Sequence, residues 1–160
     1  MNPPLLPDVQ PDHFSFSVPD IEAAIAFWRD IFGFAVEHRF EIAAIPAQGA
    51  FMTRGGFRLE LWQVAGSAPV PEERRSPNSD LKTQGTKHIA FTVPDAQAAL
   101  DALVRRGVRV AAVQRSFSEP MQHEDDPTMD AARSKRPAVA AFIQDPAGSL
   151  IEIIGRRGGG

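Results

Sequence analysis

Two histidines and two glutamates stand at matching places in this chain, and together they make a donor set for a metal. His13 opens the run His13-Phe14-Ser15-Phe16-Ser17-Val18-Pro19-Asp20, and 75 positions later His88 opens His88-Ile89-Ala90-Phe91-Thr92-Val93-Pro94-Asp95. Five of the eight positions are identical and two of the others are conservative. A repeat of that period means one small unit used twice, which leaves a shared surface between the copies. Each copy ends on a run with a carboxylate among apolar neighbours: Phe57-Arg58-Leu59-Glu60-Leu61-Trp62 and Ser149-Leu150-Ile151-Glu152-Ile153-Ile154. His13, Glu60, His88 and Glu152 would supply two nitrogen and two oxygen donors, a set that suits a divalent first-row metal. A lone histidine on a strand is more often a structural polar residue. Two at equivalent repeat positions, joined by two strand glutamates, favour the metal.

The elements that must position these residues follow from periodicity. His13 to Val18 alternates, with Phe14, Phe16 and Val18 on one side and His13, Ser15 and Ser17 on the other, as in a half-buried strand. Asp20 sits where a helix N-cap belongs; Ile21, Ala24, Ile25, Trp28, Ile31 and Phe32 follow at helical spacing, and Gly33 is a stop. In the second copy Asp95 caps, Ala96, Ala99, Leu100, Leu103 and Val104 form the stripe, and Gly107 ends it. Strands are expected near 34–43, 47–54 and 57–64, with a Gly55-Gly56 hairpin turn, and near 108–114, 137–144 and 149–154, with Asp145-Pro146-Ala147-Gly148 as a turn. Alternation turns Leu59, Leu61, Ile151 and Ile153 toward the helices, and His13, Glu60, His88 and Glu152 to the opposite face.

The fold class is therefore α+β, two tandem βαβββ modules with helices on the outer face, opposite the histidines and glutamates. A single domain is expected over 11–156: module one 11–65, a Pro/Ser/Gly-rich linker 66–84, module two 85–156, and flexible ends at 1–10 and 157–160. The polar stretch from Ser116 to Arg136 has no counterpart in the first module and is longer than ordinary loops, as a lid or binding loop would be.

Composition excludes several classes. An apolar fraction of 43% and charged fraction of 23% are ordinary for a globular protein. A net charge of −3 gives no electrostatic reason to expect nucleic acid or an anionic membrane. With no cysteine, disulfides, thiolate nucleophiles and cysteine metal sites are out. The proline-rich N-terminus lacks a signal-peptide pattern and no run is long enough to span a membrane, so the cytoplasm is the expected compartment.

With these residues in view, the chain resembles the vicinal oxygen chelate superfamily, which includes glyoxalase I, methylmalonyl-CoA epimerase, extradiol dioxygenases and bleomycin- and fosfomycin-resistance proteins. The likeness runs from about Pro11 to Arg156 and includes the ending Asp145-Pro146-x-Gly148-x-x-x-Glu152. It implies a curled sheet around a metal site, with ligands on the first and last strands of each module, matching His13, Glu60, His88 and Glu152. The set is most similar to bacterial-type glyoxalase I, with Ni, Co, Zn or Mn as metal; epimerases of the family usually carry Gln where Glu60 stands. The implied chemistry is isomerase, epimerase or lyase work. A metal polarises a carbonyl as a Lewis acid and stabilises the enediolate, and Glu60 or Glu152 moves the proton. Small-molecule substrates and a homodimer are implied as well.

Two alternatives stay open. His13, His88 and Glu152 alone would make the Fe(II) triad of a ring-cleaving dioxygenase, against which Glu60 counts as a fourth ligand. A protein that sequesters a small molecule such as an antibiotic is the other, against which the intact quartet counts. Around the quartet, Ser15, Ser17, Ala90 and Thr92 are small enough to leave a cavity, and Ser15, Thr92, Trp62 and Arg58 are the candidate substrate contacts. Arg39, Arg54, Arg58 and Arg115 could grip an anion, though surface solvation is expected of each singly. His38 is expected to be ordinary. His123 and Glu124-Asp125-Asp126 are read as part of a solvated lid rather than a second metal site. The linker lacks the aromatic and asparagine pattern of bacterial glyoxalase I, so glutathione hemithioacetal is not implied as the substrate.

Overall fold

The computed structural model describes residues 4–123 and 136–156, and every structural statement below concerns those residues. The Glu124-Asp125-Asp126 run and the terminal glycines Gly158 to Gly160 lie outside them. The chain divides into two compact units, Met1–Ser67 and Ala68–Gly160.

In the first unit β1 (His13–Ser17) leads into α1 (Ile21–Phe32), followed by β2 (Ala35–Ile42), β3 (Ala47–Arg54) and β4 (Phe57–Val64). The helix starts where the sequence predicts. Asp20 Oδ1 accepts from the backbone N–H groups of Glu22 and Ala23, at 2.9 and 3.1 Å, satisfying donors that the first turn leaves unpaired. It stops at Gly33, whose φ of 71° is the left-handed conformation that glycine adopts without strain. Ile21, Ala24, Ile25, Trp28 and Phe32 are buried on one stripe, and α1 packs on β3 and β4, against Leu59 and Leu61 that lose all exposure. Each isoleucine, leucine or phenylalanine among them contributes about 1.5–3 kcal/mol by leaving water. Gly55 and Gly56, at φ 55° and 81°, form the two-residue turn whose twist suits a tight hairpin. The sheet order is β1-β4-β3-β2, with β1 parallel to β4 and the rest antiparallel.

The second unit repeats the plan with β5 (Ile89–Val93), α2 (Ala96–Arg105), β6 (Val110–Gln114), β8 (Ala140–Gln144) and β9 (Leu150–Gly155). An additional two-residue strand, β7 (Gln122–His123), pairs with β6. The sheet is therefore five-stranded, in the order β5-β9-β8-β6-β7. Asp95 Oδ1 caps α2 through the Ala98 N–H at 2.9 Å. Val104, expected in the apolar stripe, is 58% exposed instead. Ala96, Leu100 and Leu103 already cover the packed face, and Val104 lies at its edge in the last turn. The segment expected as a linker belongs, from Ala68 onward, to the second unit and contains a one-turn 3₁₀ helix at Glu72–Arg74. It is pinned there: Gln144 Nε2 donates to the Arg75 carbonyl at 2.6 Å, and the Arg75 side chain lies against Gly148, where a Cβ would come within 3.1 Å of it.

Both units are thus βαβββ modules of an α+β fold, each with its own mixed sheet, and neither sheet closes on itself among the described residues. No helix among the described residues is long and apolar enough to cross a membrane.

Candidate metal-binding half-sites

In the first unit, parallel pairing of β1 with β4 and antiparallel pairing of β3 with β4 put Ser15, Glu60 and Phe51 in one row across the sheet. His13 Nε2 lies 3.4 Å from Glu60 Oε2, and Ser15 Oγ donates to the same oxygen at 2.8 Å. The imidazole meets the Phe51 ring edge-on, with centroids 5.1 Å apart and planes at 89°. Its other nitrogen, Nδ1, donates to Asp12 Oδ1 at 2.6 Å.

Arg58 completes this side. Its Nη1 donates to Asp12 Oδ1 and its Nε to Glu37 Oε2, both at 2.8 Å, while the guanidinium lies 4.5 Å over the Phe51 ring. The hydrogen bond from His13, with Arg58 beside it, holds the Asp12 carboxyl below its ordinary range. Arg58 shares the Glu60 face, as its spacing on β4 predicts, but its charge is engaged by two carboxylates and a ring.

The second unit builds the same row from Ala90, Glu152 and Phe142. His88 Nε2 lies 3.2 Å from Glu152 Oε2, and His88 meets Phe142 edge-on with centroids 5.2 Å apart. The exposures agree as well: side chains of His13 and Glu60 are 34% and 15% accessible, those of His88 and Glu152 35% and 17%. Four ligand candidates thus form two equivalent pairs, each partly open to solvent. Within neither unit do three or more His, Asp or Glu side chains of the described residues gather into a group that could hold a metal.

The remaining candidates fall elsewhere. Trp62 is half-buried with its ring edge-on to Phe40, and His38 stacks on Phe51 at 4.8 Å, so both belong to the aromatic face beside Glu60. Thr92 is exposed on β5, in register with Ile154. Arg39 pairs with Glu22, and Arg54 donates to the Phe32 carbonyl at the end of α1. Arg115, expected at the solvated surface, is 8% exposed and bonds Gln122 Oε1, Gln97 Oε1 and the Arg136 carbonyl, because strand β7 and the return toward β8 cover it. A cavity of about 550 Å³ in the second unit lies against Pro69, Arg75, Ala111 and His123, with Ser76 Oγ 3.3 Å from His123 Nδ1; His88 and Glu152 are not among its walls.

Asp12, Phe51 and Phe142 are the residues that sequence reasoning missed. Asp12 precedes the strand, and the two phenylalanines sit on inner strands with no counterpart in the octapeptide repeat. Their signal was their place opposite a glutamate, which is visible only when the register is known.

The family model of the Glyoxalase/Bleomycin resistance protein/Dioxygenase superfamily matches residues 10–153. The chain belongs to this superfamily. A superfamily relative, the mitochondrial methylmalonyl-CoA epimerase of Mus musculus, is 29% identical over 102 residues, covering 61% of this chain and 53% of the relative. The chain thus spans about half the length of that relative. Among solved structures, the trypanothione-dependent glyoxalase I of Leishmania major is 20% identical with a TM-score of 0.62, over 92% of this chain and 87% of that one. A glyoxalase family protein from Enterococcus faecalis is 16% identical with a TM-score of 0.65, over 91% and 96% of the two chains. At these identities the structural likeness establishes the fold of the superfamily, two such modules in tandem.

Proposed function

We propose that this protein is a metal-dependent isomerase, epimerase or lyase that moves a proton next to the carbonyl of a small molecule. The observation behind this reading is the duplicated His–Glu pair. Separations of 3.4 Å for His13–Glu60 and 3.2 Å for His88–Glu152 exceed the ~2.7–2.9 Å of a charge-assisted hydrogen bond. Nε2 of each histidine and Oε2 of its glutamate would serve as neighbouring ligands of a divalent metal. Imidazole and carboxylate donors suit Ni, Co, Zn or Mn, and His13, Glu60, His88 and Glu152 are the ligands we propose for it. A divalent metal bound there supplies Lewis-acid polarisation of the substrate carbonyl.

The proton is the work of the glutamates. Glu60 Oε2 is tied by Ser15, whereas Ala90, which stands opposite Glu152, has no hydroxyl to offer. This supports Glu60 as the fixed ligand and Glu152 as the carboxylate that takes the proton from carbon at its Oε atoms and returns it. The same Ser15 tether keeps Glu60 among the ligands, which counts against an Fe(II) triad of His13, His88 and Glu152. A relative named as an epimerase supports the isomerase reading too.

The first test is the metal content of protein purified without chelators, beside a His13→Ala variant. Stoichiometric Ni, Co, Zn or Mn that the variant loses is the expected result, and its absence even after soaking overturns the reading. Deuterium incorporation from solvent next to the carbonyl, across a panel of hemithioacetals and acyl thioesters, then reports proton transfer. Glu152→Gln should lower it by about 10²–10⁴-fold. Mixing His13→Ala with His88→Ala chains restores activity if the centre is shared between two copies.

A further inference from the structure

The residue before each histidine is where the two modules part. Before His13 stands Asp12, whose Oδ1 accepts from His13 Nδ1 at 2.6 Å and from Arg58 Nη1 at 2.8 Å. Before His88 stands Lys87, whose ammonium turns away to the Asp80 carbonyl at 2.8 Å, to Asp80 Oδ2 at 3.0 Å and to the Thr83 carbonyl. Among the described residues His88 has its contact with Glu152 and its edge-on contact with Phe142, and nothing equivalent to Asp12.

We infer that Asp12 is a positioning residue for His13, making the first module's His13–Glu60 pair pre-organised for a metal and leaving the second module's histidine free to adjust. This rests on the metal reading above. A carboxylate on Nδ1 keeps the proton there, so the Nε2 lone pair points toward Glu60; it also fixes the ring plane and makes Nε2 a stronger donor. The carboxylate is itself held. Arg58 cannot follow Asp12 if it moves, because Glu37 grips its Nε at 2.8 Å and the Phe51 ring lies under its guanidinium at 4.5 Å. Phe51 also fences the His13 ring from the side. The ring is thus set by a carboxylate, a guanidinium and an aromatic edge, all supplied by the first module. Arg58 acts here through Asp12, as a brace.

The test uses full-length protein stripped of metal and titrated with Co²⁺, followed by its visible absorption, together with ¹⁵N spectra of the histidine rings in the metal-free state at a pH where they are neutral. Asp12→Ala should weaken Co²⁺ binding by about 10–100-fold and change His13 from the Nδ1–H tautomer to a mixture. Asp12→Glu should recover part of both. Asp12→Asn keeps the shape and one acceptor oxygen, so it should hold the tautomer with a smaller loss of affinity, which covers the case of an Asp12→Ala chain that does not fold. Lys87→Gln should bind as the wild type does. Wild-type affinity in Asp12→Ala with the tautomer unchanged, or wild-type affinity in Asp12→Asn, overturns the inference. A Lys87→Gln loss equal to that of Asp12→Ala overturns it as well, since the modules would then not differ. Wild-type protein that takes up no Co²⁺ overturns the metal reading itself, a result separate from either of these.

Discussion

Ser15 and Glu60 face each other across the β1–β4 pairing, with Ser15 Oγ donating to Glu60 Oε2 at 2.8 Å. Ala90 and Glu152 hold the same register in the second module without that bond. One hydroxyl thus distinguishes two otherwise matched carboxylates. Moving it should move the chemistry. Ala90→Ser tethers Glu152 and is expected to lower deuterium incorporation by about tenfold, the rate equivalent of one hydrogen bond to a charged group worth ~1.5 kcal/mol, while metal content stays unchanged. An unaltered rate in Ala90→Ser would remove Glu152 from the role of base.

Gly49 is required by an aromatic ring. A Cβ there would come within 2.2 Å of the Phe40 ring, which lies over that position and meets Trp62 edge-on at 4.8 Å. Gly49→Ala is expected to swing Phe40 outward, shift Trp62 fluorescence and cost about 1–2 kcal/mol in urea unfolding, as overpacking does. Unchanged fluorescence would mean that the face accommodates the methyl in place.

Asp145 should leave a signature in the pH dependence of stability. Burial raises its carboxyl above the ordinary value of 3.8, opposed in part by hydrogen bonds from the backbone at Ser149, Ala147 and Gly148. Its Oδ1 accepts from Ala147 N and Ser149 N at 2.9 and 2.7 Å, while buried Oδ2 has no hydrogen-bond partner among the described residues. Between the ordinary and the raised value the folded state binds more protons than the unfolded state. This contribution to stability is therefore full below the ordinary value and is lost as pH rises through the raised one. Asp145→Asn keeps the accepting oxygen and removes the titration. Urea unfolding of both proteins from pH 7 to pH 4 should show the wild type gaining on the variant as pH falls; a constant difference refutes this.

Asp20 offers a local test of the first module. It accepts two helix N–H groups, so Asp20→Ala should cost about 1 kcal/mol in unfolding free energy. Because α1 packs on β3 and β4, hydrogen exchange should quicken in those strands as well as in the first turn of the helix.

Much of the fold was legible because it depends on local chemistry. Period-two alternation in His13 to Val18 and Phe57 to Trp62 decides which side chains share a face, and Asp20, Gly33 and the Gly55-Gly56 pair decide where elements begin, stop and turn. The repeat placed His13 and His88 as equivalents and each glutamate on the face of its histidine. Strand β7 was not legible: two residues, Gln122 and His123, are too short to show a period, and only β6 beside them makes a strand of them. Arg115 went wrong for a related reason, since an arginine reads as surface until its burying segment is in place.

By itself, the sequence determined the duplicated module, its caps and turns, and the face on which the histidines and glutamates lie, because these rest on residues within a turn or a strand of one another. Tertiary structure decided what each of those side chains meets. The row Ser15–Glu60–Phe51, the clamp of Arg58 between Asp12 and Glu37, and the bare Ala90–Glu152 counterpart all depend on strand register. Register is set by the summed packing of whole sheets against their helices, and a shift of one residue would turn every one of these groups to the opposite face.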